Sequence, residues 1–428
     1  MKIAFYTLGC KVNQYESNWM GDLAKRNGFI LVCANEDADV YVINSCTVTS
    51  ESDRKTRQAV RRFKRNHPDS IVVLTGCMPQ AFPEDAKALE EADIVIGNKS
   101  NSQIIEYIKR YLDGCGRIVD IDPHKSKEKF DSCKISEFEG RTRAYVKIED
   151  GCDRFCSYCI IPYSRGRVRS KPLAELKDEL KELKEHGFSE VVLVGINLSA
   201  YGKDTGERFC DAVKLACDTG FKRVRLGSLE PDHITDEVIK ELSALPQLCP
   251  QFHISLQSGC DKTLKNMNRH YNTEEYFELC EKLRKNFKDA TVTTDIMVGF
   301  PGETDEDHEE SMAFAEKVGF EKVHVFPYSR RSGTPAYDFP DQVHEREKQE
   351  RSRTMNALAE ELRRDVLTTY EGMEDEVLLE TALSETLFTG YTRLYVPVVV
   401  SAPGRKSGEI VHVRLGSYDG ERVRAALC

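Results

Sequence analysis

The chain has 428 residues, 40% hydrophobic and 31% charged, which predicts about three domains with packed cores and excludes wholesale disorder. Sixty-one Lys and Arg against 71 Asp and Glu leave a formal charge of −10, so a nucleic-acid partner has to be gripped by local basic patches rather than by the overall field. Mean hydropathy is −0.48, no stretch approaches the ~20 apolar residues of a membrane span, and the apolar run in MKIAFYTLGC is too short for a signal sequence; a cytoplasmic chain with no membrane partner is expected.

In chain order, short β-branched runs at Ile3 to Leu8, Val40 to Asn44, Ile71 to Thr75 and Ile94 to Ile96 alternate with helical stretches. This is the rhythm of an α/β fold with a doubly wound parallel sheet, over residues 1–117. Residues 118–139 are mostly polar, carry no sustained period and read as a linker. The alternation resumes at Ala144 to Ile148, Val191 to Val194, Arg223 to Leu226, Phe252 to Leu256, Val292 to Val298 and Val323 to Phe326. Six β/α repeats predict a partial or complete TIM-like barrel over residues 140–367, with its chemistry at the carboxyl ends of the strands. Glu345 to Thr369 is charged, poor in Gly and Pro, and predicts one long helix. Residues 368–428 change character: EVLLET, TGYTRLYVPVVV and GEIVHVRL are strand-like and separated by turn residues, which predicts a small all-β barrel.

Fifteen cysteines in a chain without an export signal point to metal ligands, catalysis or buried packing rather than disulfides. The sharpest pattern is Cys152, Cys156 and Cys159 in EDGCDRFCSYCIIP, a CxxxCxxC spacing just after the first barrel strand. Three thiolates on one short loop hold three irons of a [4Fe–4S] cluster and leave the fourth open. A zinc site short of one ligand, or ordinary buried cysteines, are the alternatives. Cys10, Cys46 and Cys77 are spaced C-x35-C-x30-C, and each ends an apolar strand. In a parallel doubly wound sheet the carboxyl ends share one edge, so these three predict a second open cluster, against the alternative of three small buried hydrophobes. The others, Cys33, Cys115, Cys133, Cys210, Cys217, Cys249, Cys260, Cys280 and Cys428, are expected in core packing.

The CxxxCxxC loop on a β/α barrel resembles the radical S-adenosylmethionine superfamily. Two cysteine trios followed by a small β module are similar to its methylthiotransferase family, which inserts a methylthio group at an unreactive C–H bond. TLGCKVN (Thr7 to Asn13), GINLSAYG (Gly195 to Gly202), RLGSLEP (Arg225 to Pro231), ISLQSG (Ile254 to Gly259), MNRHY (Met267 to Tyr271) and DIMVGFPGET (Asp295 to Thr304) match family-type segments. The resemblance implies an N-terminal methylthiotransferase domain with an auxiliary cluster, a radical S-adenosylmethionine core and a C-terminal RNA-binding barrel of the TRAM type. As cofactors it implies two [4Fe–4S] clusters, on Cys10, Cys46 and Cys77 and on Cys152, Cys156 and Cys159, together with S-adenosylmethionine. Tyr158, Asn197, Glu230, Ser255, Gln257 and Arg269 are the implied contacts of that cofactor; for each, a packing, loop or cap residue is the bland alternative. An external one-electron reductant and an unidentified sulfur donor are implied as partners.

Family members modify an adenosine beside the tRNA anticodon or an aspartate of a ribosomal protein. TLGCKVN and GINLSAYG look most like the branch acting on N6-threonylcarbamoyladenosine, so the expected reaction is C2 methylthiolation of that nucleoside in a tRNA anticodon stem-loop. Isopentenyladenosine in tRNA, a ribosomal aspartate and, in another class, a non-catalytic iron–sulfur RNA-binding sensor are the alternatives. Three features read as RNA contacts. Glu51 to Asn66 carries seven basic residues against two acidic ones, a local excess suited to phosphates. Arg165, Arg167 and Arg169 follow the cluster loop and would steer an anion. Tyr391, Arg393 and Tyr395 alternate, as one strand face offering rings to unstacked bases would. A solvated helix face, surface ion pairs and a half-buried strand are the respective alternatives.

Overall fold

The computed structural model describes residues 1–125, 128–132 and 142–428. Its first unit is a six-stranded parallel sheet of β1 (Lys2–Thr7), β2 (Ile30–Val32), β3 (Val40–Ser45), β4 (Ile71–Gly76), β5 (Ile94–Ile96) and β6 (Ile118–Asp120), in the order β2-β1-β3-β4-β5-β6. β3 and β4 are buried along their whole length; covered on both faces, they read as unbroken apolar runs. Val40 and Val42 pack with Met20 and Ala24 of helix α1 (Lys11–Arg26). Tyr41 and Ile43 pack with Ala59, Val60 and Phe63 of α2 (Ser50–Asn66) on the other face, as the two-residue period of a strand requires. The chain passes from β1 out to β2 and back beyond β1 to β3, so the carboxyl ends of β1 and β3 flank the topological switch point, where such sheets bind ligands.

Two strands fall outside the sequence expectation. β2 and β6 are three residues long, and β6 lies in the segment read as a linker; its pairing with β5, not its own pattern, makes it a strand, so the first unit extends to Asp120. The start of the second unit at residue 140, and Cys133, lie outside the described residues.

In the second unit, β7 (Arg143–Lys147) and strands Glu190–Val194, Arg223–Leu226, Gln251–Ile254, Thr291–Val298 and Lys322–Pro327 run parallel in chain order. β7 and Lys322–Pro327 do not pair with each other among the described residues, so the barrel is partial. Helix α1 lies against its β7 side: Val12, Tyr15 and Trp19 share a core with Tyr145, Leu176 and Leu180, and the Tyr15 hydroxyl donates to Glu179 at 2.8 Å. One face of α1 thus belongs to the sheet and the other to the barrel.

The long helix spans Glu345–Thr369, as expected. Met355, Leu358 and Ala359 pack in the barrel core, and Leu367 packs in the core of the last unit. That unit is a closed barrel of Glu374–Ala382, Leu387–Thr392, Pro397–Ser401, Val423–Leu427 and Ile410–Tyr418.

Tyr391, Arg393 and Tyr395 do not form one outward strand face. The strand stops at Thr392, and Tyr395 sits in the turn at φ +68°. The two rings stack at 4.5 Å beneath the Arg143 guanidinium, while Arg393 donates to the carbonyls of Pro246 and Leu248. These three residues weld the β module to the (β/α) barrel.

Candidate functional site

Every strand of the partial barrel delivers its carboxyl end to one mouth, and there a cavity of about 240 Å³ is lined by Cys152, Cys156 and Cys159 together with Tyr158, Glu230, Gln257 and Arg269. Four of the six residues expected around S-adenosylmethionine therefore share a cavity with the cysteines. Asn197 stands just outside it, its amide 3.8 Å from Cys152 Sγ. Ser255 takes part through its carbonyl, which accepts from the Tyr271 hydroxyl at 2.6 Å and from Arg269 at 3.4 Å.

Arg269 organises this wall. It donates to Cys156 Sγ at 3.2 Å, to Glu230 Oε2 at 2.5 Å and to the Tyr271 hydroxyl at 2.9 Å. Phe155, inside the cysteine loop, and Gln257 hold left-handed backbone, at φ +49° and +73°, a strain that surrounding packing has to impose. Burial, with the Cys156, Glu149 and Glu230 charges, pushes Cys152 up to about 12. Burial and the other two cysteines push Cys159 up as well. The Cys152 and Cys159 thiols are thus disposed to stay protonated on their own; iron takes thiolates and displaces the protons. Three sulfurs around one small cavity, with a guanidinium on one of them, fit a [4Fe–4S] cluster.

The second trio lies where the switch point puts it. Cys10 follows β1, Cys46 follows β3, and Cys77 opens the short helix Cys77–Ala81 directly after β4. Two glycines allow the approach. A Cβ on Gly9, at φ +109°, would fall 2.8 Å from Cys46 Cβ, and one on Gly76, at φ +97°, would fall 2.5 Å from the Ser45 backbone; any side chain there would wedge the loops apart. Burial pushes Cys77 up to about 11, with Cys46, Glu16 and Cys10 contributing. Burial and Cys10 likewise raise Cys46. Three cysteines brought to one sheet edge by β1, β3 and β4 fit a cluster by the same chemistry.

The loop beyond Cys46 reaches the barrel mouth. Val48 and Thr49, just beyond Cys46, line the same cavity as Cys152, Cys156 and Cys159. Arg331 of the barrel fastens that loop, donating to Thr47 Oγ1 at 2.8 Å and to Asp53 Oδ2 at 2.6 Å. Beneath it lies a buried ionic network. Arg165, 1% exposed, donates to Glu16 Oε1 and Oε2 at 2.8 and 3.0 Å, to Asp150 Oδ1 at 3.1 Å and to Asn13 Oδ1 at 3.0 Å. Asn13 Oδ1 also accepts from Cys10 Sγ at 3.3 Å, and Asn13 Nδ2 donates to the Ser45 carbonyl at 2.8 Å. Ser164 donates to the Cys77 carbonyl at 3.2 Å.

Arg165 is therefore no substrate-steering cation; it ties the cysteine edge of the sheet to the barrel. Arg169 is buried beside it, and Arg167 pairs outside with Asp153 at 3.2 Å. Asn13, Glu16 and Ser164 were not singled out by their sequence, although Asn13 closes TLGCKVN. The basic helix α2 is in part a paired surface: Arg54 bonds Glu51, Arg61 pairs with Glu91 and Lys64 with Asp93. Of the other cysteines, Cys210, Cys217, Cys249, Cys260 and Cys280 are buried as expected. Cys33, Cys115 and Cys428 are exposed, a correction: each sits at an element's end rather than on its core face.

Comparison with known proteins follows this geometry. The model of the Radical SAM superfamily matches residues 146–315, and that of Uncharacterized protein family UPF0004 matches residues 2–97. Threonylcarbamoyladenosine tRNA methylthiotransferase MtaB of Bacillus subtilis is 38% identical over 420 residues, covering 96% of this chain and 93% of that protein. The protein of the same name from Thermotoga maritima is 38% identical over 419 residues, 97% of this chain and 95% of its own. Among solved structures, the radical S-adenosylmethionine methyltransferase TsrM from Kitasatospora setae superposes with a TM-score of 0.55 at 12% identity, over 78% of this chain and 77% of that one, a likeness of fold. Near-full-length identity at this level, in a chain that gathers one cysteine trio at a barrel mouth and another at a sheet edge, makes it a member of the radical S-adenosylmethionine methylthiotransferase family of enzymes.

Proposed function

We propose that this enzyme methylthiolates C2 of N6-threonylcarbamoyladenosine in the anticodon stem-loop of a cytoplasmic tRNA, fed by an external one-electron reductant and a sulfur donor. The observation that carries the reading is a cavity lined by Cys152, Cys156 and Cys159 whose wall also includes Val48 and Thr49, just beyond Cys46 of the other trio. The substrate rests on the relatives' names and on the TLGCKVN and GINLSAYG segments. Among the described residues no helix is long and apolar enough to cross a membrane. We assign sulfur handling to residues 1–120, radical chemistry to the barrel up to residue 367, and RNA grip to residues 368–428.

An adenine C2–H is too weakly acidic for a Glu or His base, so the chain needs a cofactor that does radical chemistry. Cys152, Cys156 and Cys159 would hold a cluster able to donate an electron to S-adenosylmethionine, and Cys10, Cys46 and Cys77 would hold one with an open iron for sulfur. The protein's own residues orient and exclude water. Arg269 fixes Glu230, Tyr271 and one cysteine sulfur together, so the cavity wall is set before the cofactor arrives. Tyr158 packs edge-on to Phe300 at 6.5 Å and closes the wall on the apolar side. Arg331, through Thr47 and Asp53, keeps the Cys46 loop on the mouth.

Arg269→Lys keeps the charge but loses the fork that reaches three partners. It is expected to retain the iron of both sites while 5'-deoxyadenosine formation falls ~10²-fold, read by chromatography of single-turnover mixtures. The substrate is tested with tRNA carrying N6-threonylcarbamoyladenosine, tRNA carrying isopentenyladenosine, and ribosomal protein, each analysed by mass spectrometry after reaction. A methylthio group on the first alone is expected. Its appearance on either of the others, with the first unmodified, overturns the substrate assignment.

A further inference from the structure

Below the cluster cavity the interior of the partial barrel opens into a second cavity of about 570 Å³, lined in part by Arg225, Gln251, His253, Thr293, Asp295 and His324. Barrel interiors are usually filled by layers of branched apolar side chains; this one is polar and hollow. Three adjacent strands contribute to it in register: His253 lies opposite Thr293, and Asp295 lies opposite His324. His253 Nε2 and Asp295 Oδ2 are 3.2 Å apart. One ligand atom from each of His253, Asp295 and His324 lies within 4.8 Å of the other two. The other His253 nitrogen, Nδ1, is 3.0 Å from Thr293 Oγ1, the kind of outer contact that fixes the orientation of a ligating imidazole. Among the described residues the His324 ring has no hydrogen-bond partner; its neighbour is the His253 ring, 5.8 Å away between centroids.

An ion pair joins His253 and Asp295, and His324, on the exposed side of the cavity, brings a third donor within reach of both. We propose that His253, Asp295 and His324 form a binding site for a divalent first-row transition metal, separate from both cysteine trios. Two imidazoles and one carboxylate suit zinc, iron(II) or manganese(II) and not calcium or magnesium, which take oxygen ligands. The donors stand on strands rather than loops, so the set is rigid. Lys11, Lys322, Arg363 and Arg422 also face this cavity beside Arg225, but so do Glu321 and Glu421, and Arg363 lies 3.9 Å from Glu321, which offsets part of this charge. Three protein ligands leave positions open to water or to an anionic oxygen ligand. Asp295 lines the cluster cavity as well, so the metal would stand at the floor between the two.

The test uses the full chain with its clusters reconstituted, incubated with one equivalent of zinc and desalted without air. Zinc is counted by mass spectrometry, and its ligands are read from the zinc K-edge, where iron does not interfere. The expected result is about one retained zinc with nitrogen and oxygen scatterers at ~2.0–2.1 Å, and affinity at least ~10-fold weaker in both His324→Ala and Asp295→Asn, with iron content and melting temperature unchanged. Should His324→Ala fail to fold, His324→Gln and His253→Gln make the same test. No retained zinc, sulfur scatterers, or nitrogen and oxygen binding that the substitutions leave intact would each overturn the site, the last as adventitious binding elsewhere.

Discussion

Replacing Cys10, Cys46 and Cys77 together with Ala will lower the iron of the reconstituted chain from about eight to about four per polypeptide, abolish methylthiolation and leave 5'-deoxyadenosine formation measurable. The expectation follows from topology. These cysteines end β1 and β3 and follow β4 at the switch point of one sheet, whereas Cys152, Cys156 and Cys159 stand at the mouth of a separate barrel with Tyr158, Glu230 and Arg269 around them. Removing the first trio takes no ligand and no wall residue from the second. The substitutions are also mild, since trimming a thiol to leave the Ala methyl usually costs on the order of 1 kcal/mol, and Cys10 is exposed. Iron content and 5'-deoxyadenosine are measured on the same anaerobic sample. Loss of both activities in a chain that still folds and keeps about four irons would show that the two trios act as one site.

Much of this was readable from residues because strand-end positions leave a periodic trace. β3 and β4 announce themselves as continuous apolar runs because both faces are covered, and a cysteine at the end of each inherits the shared carboxyl edge of a parallel sheet. What could not be read are contacts between segments far apart in the chain. Arg165 and Glu16 are 149 residues apart, and nothing near Arg165 marks it as buried; beside a cluster loop a guanidinium reads as a lure for anions. The Tyr391, Arg393 and Tyr395 alternation misled for the opposite reason. Local period two was genuine up to Thr392, and then a turn with Tyr395 at φ +68° redirected the rings onto Arg143. β2 and β6 are too short to carry a period at all.

Arg165→Met will destabilise the chain by ~3–5 kcal/mol at pH 7, because it leaves buried Glu16 without its main cation and buried Asp150 with one cation fewer. Burial alone would raise Glu16, but the Arg165 and Lys147 charges overcome it and hold the group below the usual carboxylate range. Asp150 is held low against the same burial by Lys147, Arg165 and Arg169. Carboxylates depressed in this way contribute stability above their unfolded values near ~4, and lose it as pH falls towards their folded values. The difference between wild type and Arg165→Met, followed by urea unfolding, is therefore expected to be full at pH 7 and to narrow below about pH 4, where both chains take up protons. Met fills the aliphatic volume, so a cavity would add little. Adding Glu16→Gln to Arg165→Met removes a buried charge left with Lys147 alone and should recover part of the loss, a coupling that a mere packing defect would not show. Because Asn13 accepts from both Arg165 and the Cys10 thiol, the single variant should also release iron from the sheet-edge site faster than from the barrel mouth.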